Sequence, residues 1–364
     1  MPNLYISNIL PPYRVDLCNA LHERLGCEIC HYIEDPRDNC FSKEDIVSRS
    51  RFENRIVPVR TVLGKAFLRH PEHLVGPDTR IVFVNEFSPI ALQMLSLRRR
   101  YGFKVVSFCD DSMDMIRGND FTSIHTLARR FVPSRMDEII LPTQEVADWY
   151  RHRFGKGVVM PIIADDELIR ERLEDAVPLS ASLRTAFALD GKPVILFVGR
   201  LVGLKNLARL FEAYAPLRDR ARLVIVGEGE ERSSLEALSI SLGLDVLFAG
   251  PRFGNELLAW YNLADILVLP STREAFGAVT GEALTCGCRV LVSSRAGSST
   301  LVREGKNGYV VDPLAVEGMH VALERLVSMP ALPRNPEGIR PNLLPVLFTQ
   351  SIQHFLSGLP YSVE

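Results

Sequence analysis

The sequence predicts an α/β protein built from two doubly wound parallel sheets, and three observations carry that prediction. Short, nearly continuous apolar runs rich in Val and Ile recur along the chain, separated by helical patterns of 10 to 20 residues. Strands that are apolar on both faces need helices on both sides, which is the signature of parallel sheets. The alternation occurs twice, and 364 residues is about two domains' worth of chain.

In the first half the strand runs are LYISNI, CEICHYI, IVFVN, KVVSFC, EIILPT and GVVMPI. In the second they are VILFVG, RLVIVGEG, DVLFAG, DILVLPS, CRVLVSS and GYVVD. Helical patterns cover 12–25, 145–154, 206–218, 231–242, 255–264 and 279–285. Residues 1–175 are expected to form the first domain and 193–340 the second. The more polar stretch 176–192, with Pro178 nearby and Pro193 closing it, is expected to be a linker. After a proline-rich lead, Leu344, Leu347, Phe348, Ile352, Phe355, Leu356 and Leu359 fall on one stripe, so 341–364 is expected to be a helix returning to the first domain.

Composition excludes several classes. With 47% hydrophobic and 24% charged residues and a net charge of −2, the chain is neither disordered nor fibrous, nor charged like a nucleic-acid coat. It has no run of 18 apolar residues and no signal-peptide pattern at Met1, so a cytoplasmic protein is expected. Seven thinly spread cysteines fit a reducing compartment. Cys27 and Cys30 form a CxxC, but on a strand they point to opposite faces and cannot grip one metal. His70 and His73 straddle Pro71 and read as a loop, so no metal site is expected.

The chemistry concentrates in 194–313. The run VILFVGRLVGLKNL is a buried strand, a turn at Gly199, then Arg200 and Lys205 near a helix start. A planar fork and a point charge at the carboxyl end of such a strand suit a diphosphate. In Gly227-Glu-Gly229-Glu-Glu-Arg232 the third glycine of a dinucleotide fingerprint is missing, so this reads as a tight strand-to-helix turn. In DILVLPSTREAFGAVTGEALTCG, Glu274 stands where a loop enters a helix and Glu282 about two turns later. The amides of Gly277, Ala278 and Val279 are unpaired donors of that helix start, and carboxylates beside them accept hydroxyl hydrogen bonds from a sugar.

Taken in order and spacing, GRLVGLKNL, IVGEGEE, ADILVLPSTREAFGAVTGEALTCGCRVLVSS and VREGKNGYVVDP resemble the C-terminal half of family-four retaining glycosyltransferases of the GT-B fold. The resemblance extends to 137–163. It implies two Rossmann-like domains facing a cleft, donor binding mainly on the second, and transfer from a nucleotide-diphosphate sugar to an acceptor hydroxyl with retention and without a divalent metal. No resident cofactor is implied, the nucleotide sugar being a co-substrate, with UDP favoured over GDP. By motif, Arg200 and Lys205 would hold the diphosphate and stabilise the leaving group. Glu274 would take the donor sugar hydroxyls, the segment Phe276, Gly277, Ala278, Val279 the sugar or phosphate, and Glu282 the ribose. Pro251, Arg252 and Phe253 would lie near the base.

The sequence departs from the family at three places. Asn8 to Arg14 replaces the glycine-rich first loop, making Tyr13 and Arg14 acceptor-side candidates or a simple helix entry through Pro12. Cys109-Asp110-Asp111 stands where relatives often have a histidine; Asp110 or Asp111 would orient the acceptor or cap a helix. Ser298, Ser299 and Thr300 stand where many relatives carry an acid, which leaves the sugar and turnover open. The expected acceptor is a glycan or lipid-linked molecule in polysaccharide or glycoconjugate synthesis. Arg98, Arg99 and Arg100 with Arg129 and Arg130 motivate peripheral contact with an anionic membrane at the inner face, against the plainer reading of a solvated helix. A non-catalytic partner module and a nucleotide-sugar epimerase remain the alternatives.

Overall fold

A computed structural model describes residues 2–33, 41–118, 123–189 and 191–360. The chain divides into two compact units, 1–162 with 349–364, and 163–348.

The first unit carries β1 (Asn3–Ser7), β2 (Cys27–His31), β3 (Asn54–Ile56), β4 (Val59–Val62), β5 (Lys65–Leu68), β6 (Ile81–Asn85), β7 (Lys104–Phe108), β8 (Glu138–Leu141) and β9 (Val158–Val159). Seven of these form one parallel sheet in the order β3-β2-β1-β6-β7-β8-β9, while β4 and β5 make a separate hairpin. β3 and the hairpin were not foreseen, because they are short, largely half-buried or exposed, and lack the apolar runs of the central strands. The apolar residues of β1, β6 and β7 are almost fully buried and seed the core. Cys27 and Cys30 are both buried in β2. Cys40 lies outside the described residues.

The second unit carries β10 (Val194–Val198), β11 (Arg222–Val226), β12 (Val246–Gly250), β13 (Ile266–Leu269), β14 (Arg289–Ser293) and β15 (Gly308–Val311), all parallel in the order β12-β11-β10-β13-β14-β15. This is the doubly wound order whose direction reverses between β10 and β13. All five residues of β10 and all four of β13 are buried.

The linker expected at 176–192 is corrected. A single helix, Asp166–Ala186, runs through most of it and belongs to the second unit, as do the residues from 163 that were expected in the first domain. Its buried stripe Ile169, Leu173, Ala176 and Ser180 has helical spacing, and Ser180 Oγ donates to the Ala259 carbonyl at 3.0 Å on the helix Gly254–Leu263. Pro178 sits inside the helix; packing on that neighbour outweighs the loss of one backbone bond. Asp165 caps the start, accepting from the amides of Glu167 and Leu168 at 3.0 and 3.3 Å.

The C-terminal helix is shorter than expected, Phe348–Ser357. The preceding stretch stays on the second unit, where Asp166 accepts from Asn342 Nδ2 at 3.2 Å and from the Phe348 amide at 3.0 Å. From Thr349 the chain belongs to the first unit, and Phe355, fully buried, packs on Phe83 and Phe108 with ring centroids 6.2 and 5.8 Å away. Among the described residues no helix is long and apolar enough to cross a membrane.

Candidate active site

In an open α/β sheet, loops from the two strands flanking the reversal of order diverge and leave a crevice at their carboxyl ends. In the second unit those loops follow β10 and β13. The first passes Gly199 and Arg200 into a 3-10 turn, Gly203–Lys205. The second runs from Pro270 to Ala278 and enters the helix Val279–Thr285.

A buried asparagine ties the loops together. Asn206, in the left-handed conformation at φ 59°, donates from Nδ2 to the Pro270 carbonyl at 3.1 Å and the Pro313 carbonyl at 2.7 Å. The Thr272 amide donates to the Leu204 carbonyl at 2.9 Å. Lys205 is thereby delivered to Glu274, and the two form an ion pair with 17% and 18% of their side chains exposed. Ser271 Oγ donates to the same Glu274 oxygen at 3.3 Å. Arg200 is exposed and has no ion-pair or hydrogen-bond partner among the described residues. Arg200 thus leaves β10 without a partner among the described residues, and the loop it begins leads to the Lys205–Glu274 ion pair.

Gly277 has φ 93°, and a Cβ there would come within 2.5 Å of Leu269 Cδ2 and 3.1 Å of Ser298 Oγ. Glycine lets the loop fold down before the helix. No side chain caps that helix, which begins behind Ala278. Phe276 is buried beneath the loop. Ser298 is fully buried and shares a hydrogen bond of 2.9 Å with Thr280 Oγ1, so it braces the loop from below. Glu282 accepts from the Tyr261 hydroxyl at 2.8 Å. Burial, and then the Glu282 charge, hold that phenol's pKa well above its ordinary value, so it stays a donor. Pro251, Arg252 and Phe253 form the exit from β12, where Arg252 lies 3.8 Å from Glu256.

The incomplete glycine fingerprint does what its sequence implied. A Cβ on Gly227 would lie 1.9 Å from the Gly199 carbonyl oxygen, and one on Gly229 2.3 Å from that of Leu201. These glycines let two backbone turns touch.

In the first unit the order reverses between β1 and β6, and Tyr13, Arg14, Cys109, Asp110 and Asp111 follow strands at that end of the sheet. Arg14 is buried, forms an ion pair with Asp110 and lies 5.5 Å from the Phe108 ring centre. Burial works against its charge, but Asp110 together with Tyr5 and Tyr13 outweighs this and its pKa lies above the ordinary value. Asp110 keeps 37% of its side chain exposed. Tyr13 lies half-buried in the 3-10 turn Pro12–Arg14.

Asp111 is a different case. It is fully buried, held by Arg129 through bonds of 2.6 to 3.1 Å, and accepts from the Tyr150 hydroxyl at 2.6 Å. Its oxygens are engaged by protein, so the expectation that it orients an acceptor is corrected: it is an internal counter-ion. Cys109 beside it is buried, and burial with the Asp111 charge raises its pKa well above the usual range. Arg129 is likewise withdrawn from the basic surface cluster, and Arg98 is paired with Asp137 at 2.7 Å. Arg99, Arg100 and Arg130 remain exposed.

Sequence reasoning missed Asn206, Ser271 and Tyr261. Asn206 had one legible signal, an asparagine directly before an apolar helix run; Ser271 stands three residues before its partner Glu274, and Tyr261 depends on Glu282, 21 residues on. Among the described residues no three His, Cys, Asp or Glu side chains converge as metal ligands.

A family profile for glycosyl transferases, group 1, matches residues 182–337. An uncharacterized glycosyltransferase of Methanocaldococcus jannaschii is 37% identical over 38% of this chain, a match spanning only 37% of that protein's own length. The alpha-D-kanosaminyltransferase of Streptomyces kanamyceticus is 30% identical over 65% of this chain and 71% of its own. Among solved structures, Anabaena HepE in complex with UDP superposes with a TM-score of 0.72 at 16% identity, covering 100% of this chain and 96% of that one, so the two share the GT-B fold. With the motif residues converging on the second sheet's crevice, the chain belongs to the group 1 glycosyltransferases.

Proposed function

We propose that this chain transfers a hexosyl group from a nucleotide-diphosphate sugar to an acceptor hydroxyl, with retention at the anomeric carbon and without a divalent metal. The observation that carries the reading is the meeting of Lys205 and Glu274 at the crevice between β10 and β13, on a loop that begins at the unengaged Arg200. Lys205 and Arg200 bind the diphosphate and neutralise the charge that grows on it as the sugar leaves, stabilisation that counts most in the transition state. Glu274 accepts from donor sugar hydroxyls. The amides of Gly277, Ala278 and Val279 sit where an uncapped helix start favours an anion. Glu282, oriented by Tyr261, takes the ribose hydroxyls, and Pro251 to Phe253 flank the base.

The first unit is assigned the acceptor. Asp110, partly exposed and oriented by the buried Arg14, is the group that positions the acceptor hydroxyl, with Tyr13, the residue before Arg14, as a second acceptor-side group. A role in glycan or glycoconjugate synthesis at an anionic membrane surface is supported by Arg99, Arg100 and Arg130, which stay exposed after Arg98 and Arg129 are spent internally. Loss of liposome pelleting in Arg99→Glu/Arg100→Glu is the expected outcome, and wild-type chain that never pellets overturns that part.

The donor reading is tested by thermal melting in EDTA with UDP, GDP and ADP. A ligand binding only folded chain at about 100 times its Kd adds roughly 2.7 kcal/mol of stability. UDP should raise the melting temperature most, and Lys205→Ala should remove the rise. Flat curves with all three nucleotides overturn the proposal.

A further inference from the structure

The second unit has a cavity of about 580 Å³ at the opposite edge of its sheet from Lys205 and Glu274. It lies at the amino ends of β10, β13 and β14, reached by Pro193, Ile266 and Arg289. Its size suits a small-molecule site, and its charge is lopsided. Arg184, Lys192, Arg289, Arg334 and Arg340 line it, against a single carboxylate, Asp265.

That carboxylate is already committed. Asp265 accepts from the Val194 amide at 2.9 Å and pairs with Arg340 at 3.1 Å. Four of the cations donate to backbone carbonyls, three of them at the end of the helix Gly254–Leu263: Arg340 to the Tyr261 and Asn262 carbonyls at 3.0 Å each, Arg334 to Asn262 O at 2.7 Å and Arg184 to Leu263 O at 3.2 Å, while Arg289 donates to Pro330 O at 2.9 Å. A helix C-terminus supplies about half a negative charge, so an excess of roughly three to four positive charges remains over Asp265 and the helix end.

Two further observations point to a missing anion. Lys192, which lines the cavity, is exposed and has no partner among the described residues. The crowding is also felt in titration: burial first, then the Arg340 and Arg184 charges, push Arg334 down to about 10. Val177, Leu326 and Leu332 add apolar groups to the lining.

We infer that this cavity is a second anion site, separate from the donor crevice, and that it takes a small phosphate-bearing molecule. A phosphate group offers acceptors in several directions and a charge of up to two, which suits several converging cations and their excess of charge. The apolar groups accommodate the carbon skeleton of an ester.

The test is isothermal titration of the full chain carrying Lys205→Ala, which disables the crevice, with pyrophosphate and separately with a sugar monophosphate. Binding of either at one site per chain is expected; pyrophosphate alone would identify a bare diphosphate as the recognised group, the monophosphate an ester. Adding Lys192→Gln with Arg334→Gln should weaken that binding at least tenfold. Lys192 has no partner among the described residues, so Lys192→Gln alone, with an unchanged circular dichroism spectrum, should weaken it about threefold even if the double change disturbs folding. No binding of either probe, or an affinity unmoved by Lys192→Gln, overturns the inference.

Discussion

Replacing Glu274 by alanine should strengthen nucleotide binding while abolishing transfer. In the free chain Lys205 spends its charge on Glu274, with both side chains more than four-fifths buried. A diphosphate must therefore compete with that carboxylate for the ammonium group. Exposed ion pairs contribute about 0.2–1 kcal/mol, and two unit charges about 4 Å apart at an effective dielectric of 20 contribute about 4 kcal/mol. A pair as sheltered as this one falls between, at about 1.5–2 kcal/mol. Since about 1.4 kcal/mol is a tenfold change in an equilibrium constant, Glu274→Ala should bind UDP roughly ten- to thirtyfold more tightly. UDP carries no sugar, so it loses no hydroxyl acceptor. Lys205→Ala should move in the opposite direction by at least tenfold. Titration calorimetry of wild type and both variants reads the signs directly, and turnover of Glu274→Ala should fall at least a hundredfold. If Glu274→Ala weakens UDP as Lys205→Ala does, with the melting curve preserved, Glu274 serves to hold Lys205 in place and the competition argument is wrong.

Three further outcomes follow from the packing. Arg129→Met strands the fully buried Asp111 carboxylate and should cost about 3–5 kcal/mol in urea unfolding, whereas Asp110→Asn keeps an acceptor for Arg14 and should cost about 1 kcal/mol while lowering transfer; equal costs would erase the distinction drawn between the two acids. Phe355→Ala should destabilise the first unit by about 3–5 kcal/mol, because its ring fills a buried space against Phe83 and Phe108; a loss below 1 kcal/mol would show the C-terminal helix to be dispensable. Burial pushes the Cys30 thiol up to about 12 and Cys288 up to about 11, from an ordinary 9.0. Above pH 9 unfolded thiols lose protons that folded ones keep, so the unfolded state binds fewer protons and stability falls as pH rises, by up to about 1.4 kcal/mol per pH unit for each thiol. Urea midpoints that stay level from pH 9 to 10.5 would contradict this.

What was legible in the sequence was what the fold keeps close to a strand end. Arg200, Lys205, Glu274 and Glu282 follow directly from β10 and β13, two runs so apolar that only a covered parallel sheet fits them, and the reversal of strand order brings their loops together. Local pattern and site coincide there. The errors arose where a role is decided by a partner far along the chain. Asp110 and Asp111 are neighbours of the same chemistry, yet Arg14, 96 residues away, leaves one partly open, while Arg129 and Tyr150 close the other in. Pro178 reads as a break until the stripe through Leu173 and Ala176 is set against the helix Gly254–Leu263. The second cavity is the extreme case. Its cations come from a helix, a loop, a strand start and a proline-rich segment, each unremarkable in sequence as a solvated charge. Only folding gathers them round one carboxylate, and repelling charges that a fold holds together need a compensating partner. The inference about the cavity therefore rests on the fold alone, whereas the donor proposal rests on motifs as well.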